Sequence, residues 1–320
     1  MSHSRSFMKA LVIALNPAVD VEWLVDDVLW EEKNNILRER RWAGGKGVNV
    51  ARWLQHLGSI PRLLIPLGGP TGREMKACLR QEKIPASTVS LQDATRANII
   101  VTTQRRGQLR FNPLGPSLSN SEWKEVVRHA DGLLDKTTAM VLSGSLPRGL
   151  PDRVYSELIQ LAKSRQVKTL LDCDGAPFAK AIAAAPFLVK PNRHELSQWI
   201  GQNLRTDKAA RNAASTLAQR THSWVLLSLG AQGGLLLNAT ENCAWKGSVP
   251  SVDVANTIGA GDAMLAAATR QIILQSPPDQ WLRWSLAAGT ALTMSSAGKL
   301  PPLSAIHKLL PQIRISPIAL

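Results

Sequence analysis

Three short stretches set reactive side chains against glycine turns. In NTIGAGDAM, Gly259, Ala260 and Gly261 run straight into Asp262 and then into an alanine-rich apolar run. A glycine turn that opens a helix leaves several backbone N–H groups pointing outward, and with the helix dipole they attract an anion. Small residues let a large anion approach the backbone. A carboxylate beside that anion would repel it, so Asp262 is poorly placed to bind a phosphate. It is well placed to take a proton from a nucleophile that attacks one. Phosphoryl transfer needs this pairing of dipoles for the moving charge with a base for the nucleophile. Read alone, Asp262 serves equally well as a helix N-terminal acid compensating the dipole.

The second stretch, AGGKGVNVARWLQHLG (43–58), again places glycines just before a helix and adds Lys46 and Asn49. Its glycines permit backbone contact with a polar ligand such as a sugar hydroxyl, and Lys46 can meet a phosphate as a point charge. A solvated lysine on a glycine-rich turn accounts for the same residues. The third, LVKPNRHEL (188–196), leaves a buried strand, turns at Pro191 and starts a helix. Asn192 and Glu195 have the spacing of a helix cap and its N3 partner. The same spacing suits two oxygen ligands near a magnesium ion and its waters. His194, between them, reads as a surface residue.

Other patterns fail. GAGDAM and GKGVNV begin like the dinucleotide-binding fingerprint, but Met264 and Val50 stand where its third glycine belongs. Neither Lys46 nor Lys299 is followed by the hydroxyl residue of a phosphate-binding Walker loop, and HELSQ has glutamine where a zinc protease needs its second histidine. No G-x-S-x-G nucleophile elbow occurs.

These residues need a scaffold, and the alternation of apolar runs with helical periods supplies one. KALVIAL, PRLLIPLGG, AMVLSGSLP, VKTLLDCD, PFLVKPN and SWVLLSLG read as buried strands with helices between them. That is the pattern of a parallel sheet covered on both faces. The helix in 48–58 is ended by Gly58, TGREMKACLRQEKI is capped by Thr71, GGLLLNATENCAWKG reads as a hairpin, and three helices follow the glycine turn. Residues 20–43 and the hairpin at 96–112, turning at RRGQ, break the alternation and read as a small accessory sheet. Such insertions often build active-site covers. No linker or repeat divides the chain, so 8–320 reads as one domain, and Met8 is a candidate start.

The formal net charge of +14 raises nucleic-acid binding as an alternative to a basic field for phosphorylated metabolites. The basic residues are scattered, as in Arg38, Arg40, Arg41, Arg105, Arg106 and Arg110. With one tyrosine and four phenylalanines, only the ten tryptophans are left to stack on bases in any number, so no nucleic-acid partner is expected. No apolar run approaches the ~18 residues of a membrane span, and the N-terminus lacks a signal-peptide cleavage site. Cys78, Cys173 and Cys243 have no paired spacing, which predicts buried reduced thiols and a cytoplasmic location.

Taken together, GGKGVNVARWLQHLG, LVKPNRHEL and NTIGAGDAM resemble the ribokinase-like (PfkB) family of carbohydrate kinases. NPAVD (16–20), TRANI (95–99) and SGSLPRG (143–149) resemble its hexose-phosphate branch, which holds 1-phosphofructokinase, tagatose-6-phosphate kinase and the minor 6-phosphofructokinase. The resemblance runs from about Asn16 to Gly298. It implies a three-layer α/β/α sandwich of eight to nine strands, mostly parallel, with a small β-sheet lid. It implies ATP- and Mg²⁺-dependent phosphorylation of a sugar phosphate, fructose 1-phosphate before tagatose 6-phosphate or fructose 6-phosphate. By the same resemblance Asp262 is the base, and Gly259, Ala260 and Gly261 form the anion hole. Asp20, Gly44, Gly45 and Asn49 contact sugar hydroxyls, and Lys46 and Arg96 meet the acceptor's phosphate. Lys190, Asn192, Ser228, Gly230 and Gly233 approach the nucleotide, and Glu195 holds the metal through water. A homodimer through the lid is left open. Two departures stand out: Asn256 replaces an aspartate of the wider family, and Ile36 follows Asn35 where the branch often has arginine.

Overall fold

In the computed structural model of the chain, residues 9–104, 107–296 and 298–320 are described. Met8, Arg105 and Arg106 lie outside them. The chain opens with β1 (Lys9–Ile13), β2 (Ala18–Val25) and β3 (Arg38–Gly44), followed by α1 (Lys46–His56), β4 (Ile60–Gly68), α2 (Gly69–Gln81) and β5 (Ala86–Leu91). Next come β6 (Arg96–Thr103), β7 (Gly107–Phe111), α3 (Asn120–Leu134), β8 (Ala139–Ser143), α4 (Val154–Ser164) and β9 (Lys168–Asp172). Then α5 (Gly175–Ala181), β10 (Leu188–Val189), α6 (Arg193–Ile200), α7 (Asp207–Thr221) and β11 (Trp224–Ser228). The last part holds β12 (Gly234–Asn238), β13 (Cys243–Ser248), α8 (Ala260–Ile273), α9 (Pro278–Thr293), α10 (Leu303–Leu309) and β14 (Arg314–Pro317).

The main sheet has ten strands in the order β14-β13-β12-β11-β10-β9-β8-β1-β4-β5. From β11 to β5 every pairing is parallel, while β12, β13 and β14 extend the sheet by antiparallel pairing. Both faces are covered, and the alternation of β1 shows it. Ala10 and Val12 enter one core with α1, α8 and α9, whereas Leu11 and Ile13 enter the other with α3, α4 and α7. A strand buried on both sides reads as an unbroken apolar run, which is why these strands are visible in the sequence. The resemblance implies one or two strands fewer than are present. Two strands are missing from the sequence reading, both at the edges of the sheet: β5, ASTVSL, which is only partly buried, and β14, the short segment RISP.

A second sheet of four strands, ordered β3-β2-β6-β7, forms the lid. It joins the two irregular stretches: β2 pairs antiparallel with β3 and parallel with β6, which places Asp20 opposite Asn98. β6 and β7 form the expected hairpin. Thr71 does not cap α2. That helix starts at Gly69 with Pro70 in its first turn, and the Gly68 N–H donates to Thr95 Oγ1 instead (3.1 Å). A proline preset for the first helical turn starts the helix earlier than the threonine would. Likewise α1 begins at Lys46, so Lys46 and Asn49 lie in its first turns, and Gly58 follows it with φ of 83°.

Candidate active site

In an open parallel sheet, ligands bind beyond the carboxyl ends of the strands. Here Ser143 and Asp172 end β8 and β9, Lys190 follows β10, and Ser228 ends β11; all four line one cavity. Its volume is about 1230 Å³, above the usual ~300–1,000 Å³ of a pocket for one small ligand and fit for two end to end. Every residue expected to touch a ligand lines this cavity except Gly44. Gly44 acts behind the wall: a Cβ there would sit 2.1 Å from Asp20 Oδ2, so its hydrogen makes room for that carboxylate.

The glycine turn opens α8 as expected. Gly259 is the N-cap with φ of 80°, a left-handed conformation that favours glycine, and Asp262 lies in the first helical turn. Because α8 is buried along nearly its whole length, Asp262 is only 4 % exposed. One carboxylate oxygen, Oδ2, accepts from Asn49 Nδ2 at 2.8 Å. Among the described residues the other, Oδ1, has no hydrogen-bond partner. Burial, followed by the negative charge of Asp172, pushes the Asp262 carboxyl up to about 7, against the pull of Lys46, the Asn49 hydrogen bond and Lys190. A carboxyl poised near neutrality has the proton affinity that general-base chemistry at pH 7 requires.

Around it lies a charge network that local reading does not reach. Asp172, 1 % exposed, lies between two ammonium groups: Lys46 Nζ is 3.2 Å from its Oδ1 and Lys190 Nζ is 3.3 Å from its Oδ2. Burial would raise the Asp172 carboxyl, but the two lysines outweigh it and hold it below the ordinary range. The same carboxylate drives the Lys46 ammonium upward, with Glu195 adding to the effect, so Lys46 stays charged. Lys190 Nζ lies 3.1 Å from the place a Cβ of Gly261 would occupy, so its charge underlies the anion turn.

Of the two readings of Asn192 and Glu195, the helix cap is the one formed. Glu195 Oε2 accepts from Asn192 N and Asn192 Oδ1 accepts from Glu195 N, each at 2.8 Å, which is a capping box at the start of α6. Its Oε1 is left facing Lys46 Nζ at 3.7 Å. No cluster of three or more His, Cys, Asp or Glu able to hold a metal occurs among the described residues. Hard oxygens in small number fit a magnesium ion that keeps its waters and arrives with nucleotide phosphates, not one caged by protein. His194 is exposed, as expected, although it borders the cavity.

The cavity is also lined by polar atoms that lack partners. Four buried side-chain atoms among the described residues have no hydrogen bond: Asn16 Oδ1, Arg96 Nε, Asn98 Oδ1 and Ser143 Oγ. All four residues line the cavity. Buried polar groups are costly unless bonded, so they mark where a polar ligand belongs. Asp20 Oδ1 accepts from Asn98 Nδ2 (2.8 Å), and burial raises the Asp20 carboxyl against that bond and the charges of Arg52 and Arg96. Arg96 is held by the carbonyls of Pro113 (2.7 Å) and Asn16 (2.9 Å). Arg110, opposite Ile100 on β7, also reaches the cavity. Lys46 thus faces Asp172 and Glu195, while Arg96 belongs to the lid end. Sequence reasoning did not find Asp172, Asn98 or Arg110 as site residues. For Asp172 the signal was available: a carboxylate at the last position of a buried strand.

Of the two departures, Asn256 keeps the acceptor role of an aspartate, since its Oδ1 takes the Ile258 N–H (3.0 Å) and closes the turn into the glycines. Ile36 is 45 % exposed in the loop between β2 and β3. No helix among the described residues is long and apolar enough to cross a membrane.

The chain as a whole is similar to known proteins. The chain is 28% identical to 1-phosphofructokinase of Bacillus subtilis, over 95% of this chain and 98% of that one. It is 30% identical to the ATP-dependent 6-phosphofructokinase isozyme 2 of Escherichia coli, over 92% and 95%. The crystal structure of Escherichia coli phosphofructokinase-2 with fructose-6-phosphate superposes with a TM-score of 0.85 at 29% identity, covering 95% of this chain and 98% of that one. The model of the pfkB family of carbohydrate kinases matches residues 18–303, and the chain belongs to that family.

Proposed function

We propose that this protein transfers the terminal phosphoryl group of ATP to a hydroxyl of a ketohexose phosphate, fructose 1-phosphate foremost, giving fructose 1,6-bisphosphate. Tagatose 6-phosphate and fructose 6-phosphate are the next candidates. The observation that carries this reading is Asp262: a buried carboxyl near neutrality, one oxygen tied to Asn49 and the other without a partner, at the mouth of a glycine turn. The acceptor hydroxyl donates to Oδ1. As its oxygen bonds to phosphorus, its proton passes to Asp262 and the bond from phosphorus to ADP breaks. The N–H groups of the turn 259–261, with Lys190 beneath, hold the charge on the moving phosphoryl group. Lys46, between Asp172 and Glu195, faces the same group.

Asp20, Gly45, Asn49 and Asn98 meet the sugar, and Arg96 with Arg110 holds the phosphate it already carries. Two arginines at the lid end favour a phosphorylated acceptor over a plain sugar. Ser228, Gly230, Gly233, Lys190 and Asn192 border the nucleotide. Magnesium, when bound, neutralises the phosphates and is held by Glu195 through water. The lid exposes Leu29, Trp30, Ile36, Leu37, Leu109 and Phe111, which favours its covering by a second copy of the chain. Three free thiols and a nucleotide substrate favour the cytoplasm. The test is ADP release with ATP and a panel of sugars and sugar phosphates. Turnover with a ketohexose phosphate supports the reading. No turnover with any member, together with duplex binding that weakens steeply with salt, would replace it by the nucleic-acid reading.

A further inference from the structure

We infer that Arg52 is a positioning residue for the base: it sets the Asn49 amide so that its nitrogen, not its oxygen, faces Asp262. The inference rests on Asp262 being the base proposed above. Asn49 and Arg52 are three residues apart on α1 and so share a face. Arg52 Nη1 donates to Asn49 Oδ1 at 2.9 Å, and Asn49 Nδ2 donates to Asp262 Oδ2 at 2.8 Å. The two ends of an amide are nearly isosteric but opposite in function. A guanidinium is only a donor, so it must meet the oxygen, and the NH₂ is then turned to the carboxylate. With the amide reversed, two acceptors would face each other at Asp262 and two donors at Arg52.

Arg52 is itself fixed from two further elements. Its Nε and Nη2 form a fork with Glu82, the C-cap residue of α2, the Nη2 bond being 2.9 Å long. Nη2 also donates to the carbonyl of Ala43, next to Gly44 at the root of the lid. Arg52 does not line the main cavity. It lines a separate cavity of about 60 Å³ behind the wall, with Asp20, Asn49, Trp42 and Gly259. It therefore touches no substrate and acts through Asn49. The groups facing Asp262 from the other elements are Asp172 of β9, Lys46 of α1 and Lys190 after β10. None of these changes when Arg52 is replaced.

The test is the pH profile of kcat/KM for Arg52→Met, which keeps much of the length and loses every donor. Without a set amide the Asp262 carboxylate loses its donor for part of the time, so it stays protonated to higher pH. The loss of activity should be about tenfold larger at pH 6 than at pH 9, the size of a one-unit displacement of the acidic limb. KM for ATP should stay within a factor of about two. In an Asn49→Ala background the same replacement should leave the limb where it is. Glu82→Gln, which loosens the fork and keeps Arg52, should give a smaller displacement in the same direction and serves if Arg52→Met does not fold. An equal loss at every pH, or a displacement that persists with Asn49→Ala, overturns the inference. Asp262→Asn separates the two levels. If that variant keeps its turnover, the functional reading has failed. If it loses turnover while Arg52→Met and Glu82→Gln leave the limb in place, only the relay has failed.

Discussion

Replacing Asp262 by asparagine should make the protein more stable and nearly inactive, and the stability change should depend on pH. The carboxyl rises from an ordinary 3.8 to about 7, chiefly because burial penalises its charge. Its folded value lies above its unfolded one, so the wild-type charge destabilises the fold at high pH. That cost is absent well below pH 4 and complete above about pH 7. A rise from 3.8 to about 7 is worth about 4 kcal/mol, so the full effect applies at pH 8, about 2 kcal/mol at pH 5, and under about 1 kcal/mol at pH 4. Asparagine keeps an oxygen for Asn49 Nδ2 and carries no charge at any of these values. Urea unfolding of both proteins at pH 8, 5 and 4 measures the differences directly. Loss of the base should lower kcat by about 10²–10⁴ in the same samples. A variant that is no more stable than wild type at pH 8 would show that the carboxylate is not strained by burial. Asp262 would then not be a base poised by burial, even if activity were lost.

Arg96→Ala should raise KM for the sugar phosphate by roughly 10- to 100-fold, the worth of a hydrogen bond to a charged group, and leave KM for ATP nearly unchanged; equal effects on both would place Arg96 elsewhere. Gly44→Ala puts a methyl carbon where Asp20 Oδ2 lies 2.1 Å away, so the carboxylate must shift. Kinetics should show a raised KM for the sugar substrate with ATP unaffected, and denaturant melts a loss of about 1–3 kcal/mol. Asp172→Asn and Lys190→Met should move the acidic limb of the pH–rate profile in opposite directions. Removing the like charge of Asp172 lowers it, removing the cation raises it, and movement in one direction for both would show that neither acts through Asp262.

What was legible in the sequence is what is encoded locally. The turn 259–261 and Asp262 sit within four consecutive residues, and glycine conformation and helix polarity act over that range. The central parallel strands were legible because burial on both faces leaves an unbroken apolar run, as in β1 and β11, whereas the half-exposed edge strand β5 leaves none and was missed. The lid was visible as a break in the alternation, but its pairing was not. Asp20 finds Asn98 only because β2 and β6 lie parallel, 78 residues apart. Asp172 was overlooked for the same reason: its lysines come from α1 and from the end of β10, and nothing near VKTLLDCD announces them. The Lys46–Asp172 pair spans 126 residues, so local reading could not anticipate it. The α2 start was misjudged because threonine is a good cap in general, whereas Pro70 and the Thr95 contact decide the matter here.

The charges in this cavity have a consequence for how ATP and the base can coexist. Asp262 sits near neutrality with Lys46 and Lys190 already pulling its value down and Asp172 pushing it up. A triphosphate arriving beside the glycine turn adds several negative charges within the same buried space. Uncompensated, they would drive Asp262 further up and leave it protonated at physiological pH, unable to accept the acceptor's proton. Lys190 beneath the turn and Lys46 between Asp172 and Glu195 are the cations nearest the place proposed for that charge. Asp172 keeps Lys46 charged and holds both ammonium groups in place, at the expense of raising the Asp262 carboxyl it lies near. A divalent cation carried by the phosphates would supply the rest of the compensation. The need for cations in such a site therefore follows from the base as much as from the leaving group: an isolated buried aspartate could hold the sugar hydroxyl, but with ATP bound it would not be ionised when the proton must leave.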